Sequence, residues 1–153
     1  MHYRIRTFDD PSLSAVCEPL SLSDDLSFLK DMRRICAEAN GVGLGAPQIG
    51  VLKRAAFIWP QQKRGEAIFM LNPVIYYTSP TTSVEDEGCL SYPGISARIE
   101  RHLSVAVRYF DETWAQHERH FAYFPARVVQ HELDHLDGIC RVGDFWKRQT
   151  NAA

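Results

Sequence analysis

The sequence has no run of 18 or more apolar residues, so a membrane-spanning helix is excluded. It also lacks an excess of charge of one sign, because 17 Lys and Arg residues face 19 Asp and Glu residues and the net charge is -2. Without a basic field, direct binding to nucleic acid is not expected. Internal repeats, low-complexity tracts and linkers are missing too, so residues 1–153 are predicted to form a single domain.

Cysteine pairs of the Cys-x-x-Cys type are also missing. The four cysteines Cys17, Cys36, Cys89 and Cys140 are widely spaced, which disfavours a disulfide framework and a structural zinc knuckle. The opening residues MHYRIRTFDD lack the apolar core of a signal peptide, and their two aspartates argue against a transit peptide. We therefore expect a cytosolic protein, with all its cysteines except Cys89 as buried, reduced thiols.

What the sequence does contain is a His-Glu-x-x-His pattern, formed by His131, Glu132 and His135. In a helix, residues four apart project from the same face, so the two imidazoles can bind one metal ion. The carboxylate beside them can take a proton from water, as in metal-dependent peptide and amide hydrolases. A catalytic site of this kind needs a third protein ligand, with one position left open for water.

The segment around this pattern has the features of a buried helix. Pro125 suits a first helical turn, and Gly138 can end the helix in a left-handed conformation. The predicted apolar face consists of Val128, Val129, Leu133 and Leu136. An ordinary core helix with internally satisfied histidines is the alternative, but two His and a Glu on a buried helix are costly unless something binds them.

Cys89 is the candidate for the third ligand. A free cysteine is more often a small buried hydrophobe than a ligand. This one follows Gly88 at the end of a segment of β character, and a thiolate is a strong ligand for divalent zinc or iron. The acidic residues just before it, at positions 85–87, are interpreted as a solvated face with one structural ion pair.

A glycine-rich stretch, GVGLGAPQIG at residues 41–50, precedes this region. It lacks the lysine and hydroxyl of a phosphate loop and does not follow a predicted strand, which disfavours nucleotide binding. Such a stretch is more often a tight turn than a site. Gln48, a neutral amide beside the rigid Pro47, is its candidate functional residue.

Secondary-structure patterns predict an α+β fold, with antiparallel β-sheets packed around the central helix that carries the His-Glu-x-x-His motif. One amino-terminal helix is predicted, beginning near Ser23 and ending at Asn40-Gly41, and Leu13, Val16 and Leu20 are expected to anchor the segment before it. The predicted strands cover residues 54–59, 67–71, 74–77, 95–99, 105–110 and 119–123, with a hairpin loop at 61–66.

Three segments together resemble the peptide deformylase family: GVGLGAPQ at 41–48, EGCLS at 87–91 and QHELDH at 130–135. The resemblance implies that Cys89, His131 and His135 bind one divalent metal ion, ferrous iron for activity, with zinc, nickel or cobalt as other occupants. It also implies that Glu132 is the general base. The oxyanion would be stabilised by the Gln48 side chain and the Leu90 backbone N–H.

The implied substrate is the formylmethionyl amino terminus of a new polypeptide, in a bacterium or a phage-infected host cell. Its backbone would lie alongside Gly43, Gly45 and Gly88 as an added strand. The candidates for its methionine pocket are Val42, Phe124 and Val128. A monomer is expected.

Three departures from the family pattern stand out. Gly45 replaces the usual alanine, so the loop that carries Gln48 is expected to be more flexible. Arg98 lies near, but not at, the position of a substrate-contacting arginine, and a solvated arginine is an equal alternative. The tail beyond Gly138 is short, with a stub of helix at 145–148, which disfavours ribosome docking by the tail and makes this a compact member.

Two other functions were weighed. A zinc endopeptidase would need a His or Glu ligand after His135, and the only acidic residues there are Asp137 and Asp144. A non-catalytic binder of peptide termini would need neither Glu132 nor Gln48. Both alternatives are therefore disfavoured.

Overall fold

The middle of the chain folds into antiparallel strands, as predicted from its apolar runs and the lack of helices between them. The computed structural model describes residues 2–62 and 65–151. The strands are β1 (Gly43–Gly45), β2 (Ala55–Ile58), β3 (Ile68–Thr78), β4 (Thr82–Glu87), β5 (Ala97–His102), β6 (Ser104–Phe110) and β7 (Gln116–Ala122). Five of them form one sheet in the order β1-β2-β3-β6-β7, while β4 and β5 form a separate pair. The α+β class is confirmed.

Three α-helices accompany the strands: α1 (Phe28–Glu38), α2 (Phe124–Leu136) and α3 (Arg141–Asn151). Helix α2 carries the His-Glu-x-x-His pattern, has Pro125 in its first turn and is followed by Gly138 at a φ of 74°. The predicted start and end of this helix are therefore confirmed. Helix α3 is longer than the predicted stub, and no helix in the described part of the chain is long and apolar enough to cross a membrane.

The central sheet is covered on both faces, and β2 shows why α2 is so deeply buried. Ala55 and Phe57 belong to the apolar cluster that includes α1, whereas Ala56 and Ile58 belong to the cluster that includes α2. Successive strand residues point to opposite faces, so a strand without polar positions can pack against a helix on each side. The sheet therefore packs against α1 on one face and α2 on the other, and α2 contacts β1 in the glycine-rich stretch.

The predicted break at Asn72-Pro73 is wrong, because strand β3 continues through it. The two predicted strands are one strand of 11 residues, with register shifts between Leu71 and Val74 and between Ile75 and Tyr77. Asn72 adopts a φ of 50°, which asparagine tolerates better than most residues, and a bulge is a place where a strand accepts proline. The Asn72 side chain also donates to the Leu20 carbonyl and accepts from the Leu20 N–H.

The amino-terminal segment differs from prediction in two ways. Helix α1 begins at Phe28, not near Ser23, because the Asp24 and Asp25 carboxylates accept from the N–H groups of Ser21 and Ser27. Such local turns compete with helix formation. Leu13 and Leu20 are buried as expected, but Val16 is 73% exposed and anchors nothing.

The remaining boundaries shift by a few residues. The predicted strand at 95–99 is β5, which begins at Ala97 and pairs in register with β4. The predicted strands at 105–110 and 119–123 correspond to β6 and β7, which pair as an antiparallel hairpin. The predicted loop at 61–66 includes positions 63 and 64, which lie outside the described residues.

Candidate metal centre

The structure brings Cys89, His131 and His135 together, although 42 positions separate Cys89 from the first of the two histidines. One potential ligand atom from each residue lies within 4.8 Å of the other two. Helix α2 supplies the imidazoles from one face, and the loop after β4 supplies the thiol. The sulfur of Cys89 is 3.4 Å from Nε2 of His135.

Glu87 orients His131. The Nδ1 atom of His131 donates to Oε1 of Glu87 at 2.9 Å, which leaves Nε2 as the nitrogen available to a metal ion. Arg101 donates to both oxygens of the same carboxylate, at 2.9 and 3.0 Å, and Arg127 donates to Oε2 at 2.7 Å. The carboxylate is therefore fixed from three sides.

This network is buried, so its charges depend on one another. Burial alone would favour the neutral form of Glu87, but hydrogen bonds from His131 and Arg101 lower its pKa to about 2. Burial also opposes the charged form of His131, yet the bond to Glu87 outweighs it and raises the pKa of His131. Arg101 gains a further partner, because it donates to Asp134 at 2.5 Å.

Glu132 lies beside these candidate ligands and is 5% exposed. Burial raises its pKa to about 7, although the neighbouring His131 acts in the opposite direction. Its Oε2 atom has no hydrogen-bond partner among the described residues. The packing is close on the other side, since a Cβ atom at Gly43 would lie 2.9 Å from Cγ and Oε1 of Glu132.

Gln48 is held with its amide nitrogen toward the centre. Its Oε1 accepts from the Gly45 N–H at 2.8 Å, and its Nε2 donates to Oγ of Ser91 at 3.1 Å. The same Nε2 is 3.6 Å from the sulfur of Cys89. The short 3-10 helix Ala46–Ile49 buries the residue, so the glycine-rich stretch is a turn that presents a side chain rather than a simple connection.

A cavity of about 580 Å³ opens next to this centre. Its wall includes Cys89, His131, Glu132, Gln48 and Leu90. Five of the six residues expected from the sequence to contact a substrate also line it, namely Val42, Gly43, Gly88, Phe124 and Val128.

The sixth expected substrate contact, Gly45, and the uncertain candidate Arg98 lie elsewhere. Gly45 is buried behind the wall, where an added Cβ would lie 3.1 Å from Cβ of His135, and its N–H holds Gln48. Arg98 does not line the cavity: its side chain is 65% exposed, donates to the Val84 carbonyl and pairs with Asp86. The solvated alternative for Arg98 therefore describes its position.

The residues present fit a divalent metal ion. One thiol and two imidazoles form the donor set typical of zinc and other late first-row metals, and three protein ligands leave a coordination position open. The buried Oε2 of Glu132 and the buried Nδ1 of His135 have no hydrogen-bond partners among the described residues. A centre lined by such groups is costly unless a polar species binds to it.

Several residues around the centre were not identified from the sequence. The acidic residues at 85–87 were interpreted as a solvated face with one structural ion pair, without a prediction of which residue forms it. Glu85 and Asp86 are exposed, whereas Glu87 is buried and pairs with Arg101 and Arg127. Arg127 lies between the buried Ala126 and Val128, and a charged residue inside an apolar helix face is a sign of a buried partner. No local pattern indicated Arg101, Ser91 or the position of Cys140 beside Cys89.

Comparisons with known proteins agree with this geometry. The sequence profile of the family described as polypeptide deformylase matches residues 2–150. A peptide deformylase from Fusobacterium nucleatum is 40% identical over 143 residues, which cover 91% of this chain and 81% of that protein.

Solved structures give the same result. A ligand-bound class I type b peptide deformylase from Acinetobacter baumannii is similar with a TM-score of 0.87 at 32% identity, covering 93% of this chain and 97% of that one. The structure of the same enzyme bound to Met-Ala-Ser has a TM-score of 0.84 at the same identity and coverage. From its sequence, its fold and the grouping of its motifs, the chain belongs to the polypeptide deformylase family.

Proposed function

We propose that the protein removes the formyl group from the amino-terminal formylmethionine of new polypeptides. The observation that carries this proposal is the convergence of a Cys/His/His donor set, a buried carboxylate and a fixed carboxamide beside one cavity, which Cys89, His131, Glu132 and Gln48 line. The Met-Ala-Ser bound to the Acinetobacter baumannii enzyme supports a peptide of this class as ligand.

Cys89, His131 and His135 would hold the metal ion, which we propose to be ferrous iron in the cell. A divalent ion bound there supplies Lewis acidity, which polarises a carbonyl group and makes water more acidic. Glu87 supports the centre by fixing the ring of His131 through Nδ1. Metal analysis of anaerobically purified protein tests the assignment of iron, and zinc as the sole bound metal would contradict it.

Glu132 would move the proton. Its Oε2 accepts the proton of the attacking water and then returns it to the amine that leaves from the formyl carbon. Gly43 supports this role, because the missing side chain lets the Glu132 stem approach the glycine-rich stretch closely. Glu132 directly follows His131 in α2, and both residues line the same cavity.

Gln48 and Leu90 would stabilise the negative oxygen that forms when the formyl carbon becomes tetrahedral. Oε1 of Gln48 accepts a hydrogen bond from the Gly45 N–H, so the amide nitrogen is the end of the side chain that faces the centre. The backbone N–H of Leu90 would provide the second donor, from the residue after Cys89. Donors fixed before the reaction stabilise the transition state without a reorganisation cost.

The cavity wall supports selection of a methionine side chain. Val42 and Val128 offer an apolar surface, with Phe124 at the rim where it is 36% exposed. Gly43 and Gly88 would leave room for the peptide backbone to lie along the wall. The structural contacts of Gly45 point to a different task, namely holding Gln48 in place.

Formate release from formyl-Met-Ala-Ser tests the proposal. Protein loaded anaerobically with ferrous iron should release formate and leave the internal peptide bonds intact. Glu132→Ala, prepared in the same way, provides the control for adventitious iron chemistry. Release no faster than that of the control would overturn the proposed function.

A further inference from the structure

A second thiol lies beside the candidate metal centre. The sulfur of Cys140 is 3.8 Å from the sulfur of Cys89, and both cysteines are free. A disulfide bond is about 2.05 Å long, so the two sulfurs need to approach by about 1.8 Å, a movement that two side chains can share. Neither residue is held to its present position by another covalent bond.

The backbone turn after α2 places Cys140 there. Gly138 ends the helix at a φ of 74°, and an added Cβ would lie 2.6 Å from the Ser14 carbonyl oxygen, so the turn is fixed by packing. Cys140 then precedes α3, where the Gly143 N–H donates to its sulfur at 3.4 Å. The thiol is thereby kept next to Cys89.

Cys140 is not part of the ligand set itself. Within residues 2–62 and 65–151, the potential metal ligands that approach one another within 4.8 Å are Cys89, His131 and His135. Cys140 is 7% exposed and packs in a small apolar cluster with Tyr92 and Val142. Cys89, by contrast, lines the cavity and can be reached by a small solute.

We propose that Cys89 and Cys140 form a reversible disulfide when the protein meets a peroxide, and that this bond removes the thiolate ligand and releases the metal ion. The proposal that the disulfide forms rests on the positions of the two cysteines and not on the proposed function. The loss of activity rests on the proposed function, since it requires Cys89 to be a ligand.

The chemistry balances with the peroxide as the two-electron oxidant. The Cys89 thiolate attacks one peroxide oxygen, the O–O bond breaks, and Cys89 becomes a sulfenic acid, while the other oxygen leaves as hydroxide and takes a proton from the solvent to become water. The Cys140 sulfur then attacks the Cys89 sulfur, the S–O bond breaks, and the second oxygen leaves as water with the Cys140 proton. A dithiol reverses the reaction by exchange and is itself oxidised.

Cys140 would protect the centre as well as disable it. A sulfenic acid with no thiol nearby can be oxidised further to sulfinic and sulfonic acids, which ordinary thiols do not reduce. A neighbouring thiol captures the sulfenic acid as a disulfide first. The pair therefore converts an irreversible loss of Cys89 into a reversible one.

Peptide mapping of the zinc-loaded protein tests the proposal, with hydrogen peroxide as the probe. Trypsin places Cys89 in the peptide of residues 65–98 and Cys140 in that of residues 128–141, and each contains no other cysteine. After peroxide, we expect these two peptides to be joined, two of the four thiols to be lost and one zinc ion to be released per chain. Dithiothreitol with added zinc should separate the two peptides, restore the two thiols and return one zinc ion to each chain.

Cys140→Ser and Cys17→Ser are the matched variants. We expect Cys140→Ser to give no joined peptides and to accumulate Cys89 with two or three added oxygens, whereas Cys17→Ser should behave as the wild type. Recovery of the wild-type peptides unjoined, whatever other oxidation they carry, would overturn the proposal. This result is read by mass, so it is independent of a failure to release formate.

Discussion

Nδ1 of His131 lies 2.9 Å from Oε1 of Glu87, and this contact leaves Nε2 as the ring nitrogen available to a metal ion. Two arginines hold the same carboxylate, so Glu87 connects β4 and β5 to the helix that carries both histidines. One buried carboxylate therefore both links these elements and orients the imidazole of His131.

Glu87→Gln should weaken metal binding. The amide keeps the shape but loses the charge that orients His131 and balances Arg101, and loss of such a supporting partner typically costs about 10- to 100-fold in affinity. Competition with a chromophoric zinc chelator measures the effect. Glu85→Gln changes the same charge at an exposed position of β4 and should bind zinc like the wild type. Equal affinity for the two variants would contradict the positioning role of Glu87.

Gln48→Glu should lower kcat and leave metal content unchanged. The carboxylate has the same size but no N–H to donate, and removing one oxyanion donor typically costs about 10²–10³-fold in kcat. Formate release and metal content are measured on the same samples, with the exposed Gln116→Glu as the control for charge. A wild-type kcat in Gln48→Glu would show that the amide stabilises no oxyanion.

Gly43→Ala should lower activity by displacing Glu132. An added Cβ at Gly43 would meet Glu132 at 2.9 Å, whereas one at Gly88 would meet only the Ile95 carbonyl oxygen at 3.7 Å. Overpacking of this kind typically costs about 1–3 kcal/mol of stability. Thermal unfolding should therefore shift downward for Gly43→Ala and stay near the wild-type value for Gly88→Ala. Equal shifts would argue against a steric reason for glycine at position 43.

Asp111→Asn should destabilise the protein most near neutral pH, and by progressively less as the pH falls below about 4. Hydrogen bonds from Thr113 and His117 lower the pKa of Asp111 in the turn between β6 and β7. A lowered pKa stabilises the fold fully above the unfolded-state value of about 4, and this stabilisation is lost progressively as the pH falls from that value through the lower pKa of the folded protein. Melting curves at pH 7 and pH 3 measure the effect, and a difference between variant and wild type that grows in acid would contradict the sign.

The sequence indicated the parts of the fold that depend on local patterns. Pro125, Gly138 and the apolar spacing between them were enough to delimit α2, because helix ends and faces are set by nearby residues. Strand β3 was divided in error because Asn72-Pro73 resembles a turn, and the bond of Asn72 to Leu20 depends on a segment 52 positions away.

The candidate ligands were predicted for a similar reason, and the groups that surround them were missed. His131 and His135 share a helix face, and Cys89 belongs to a short motif, so each has a local pattern. Glu87 looks like its exposed neighbours, because its burial depends on Arg101 and Arg127 approaching from other elements. The proximity of Cys140 to Cys89 also depends on how the turn after α2 packs.

The most direct test of the central claim measures metal content and formate release together in Glu132→Gln. The amide cannot accept a proton from water, but it lies outside the Cys89, His131 and His135 ligand set. We expect both the variant and the wild type to bind one metal ion per chain, and the variant to release no formate from formyl-Met-Ala-Ser above background. Release at the wild-type rate by the fully loaded variant would contradict the proposed role of Glu132.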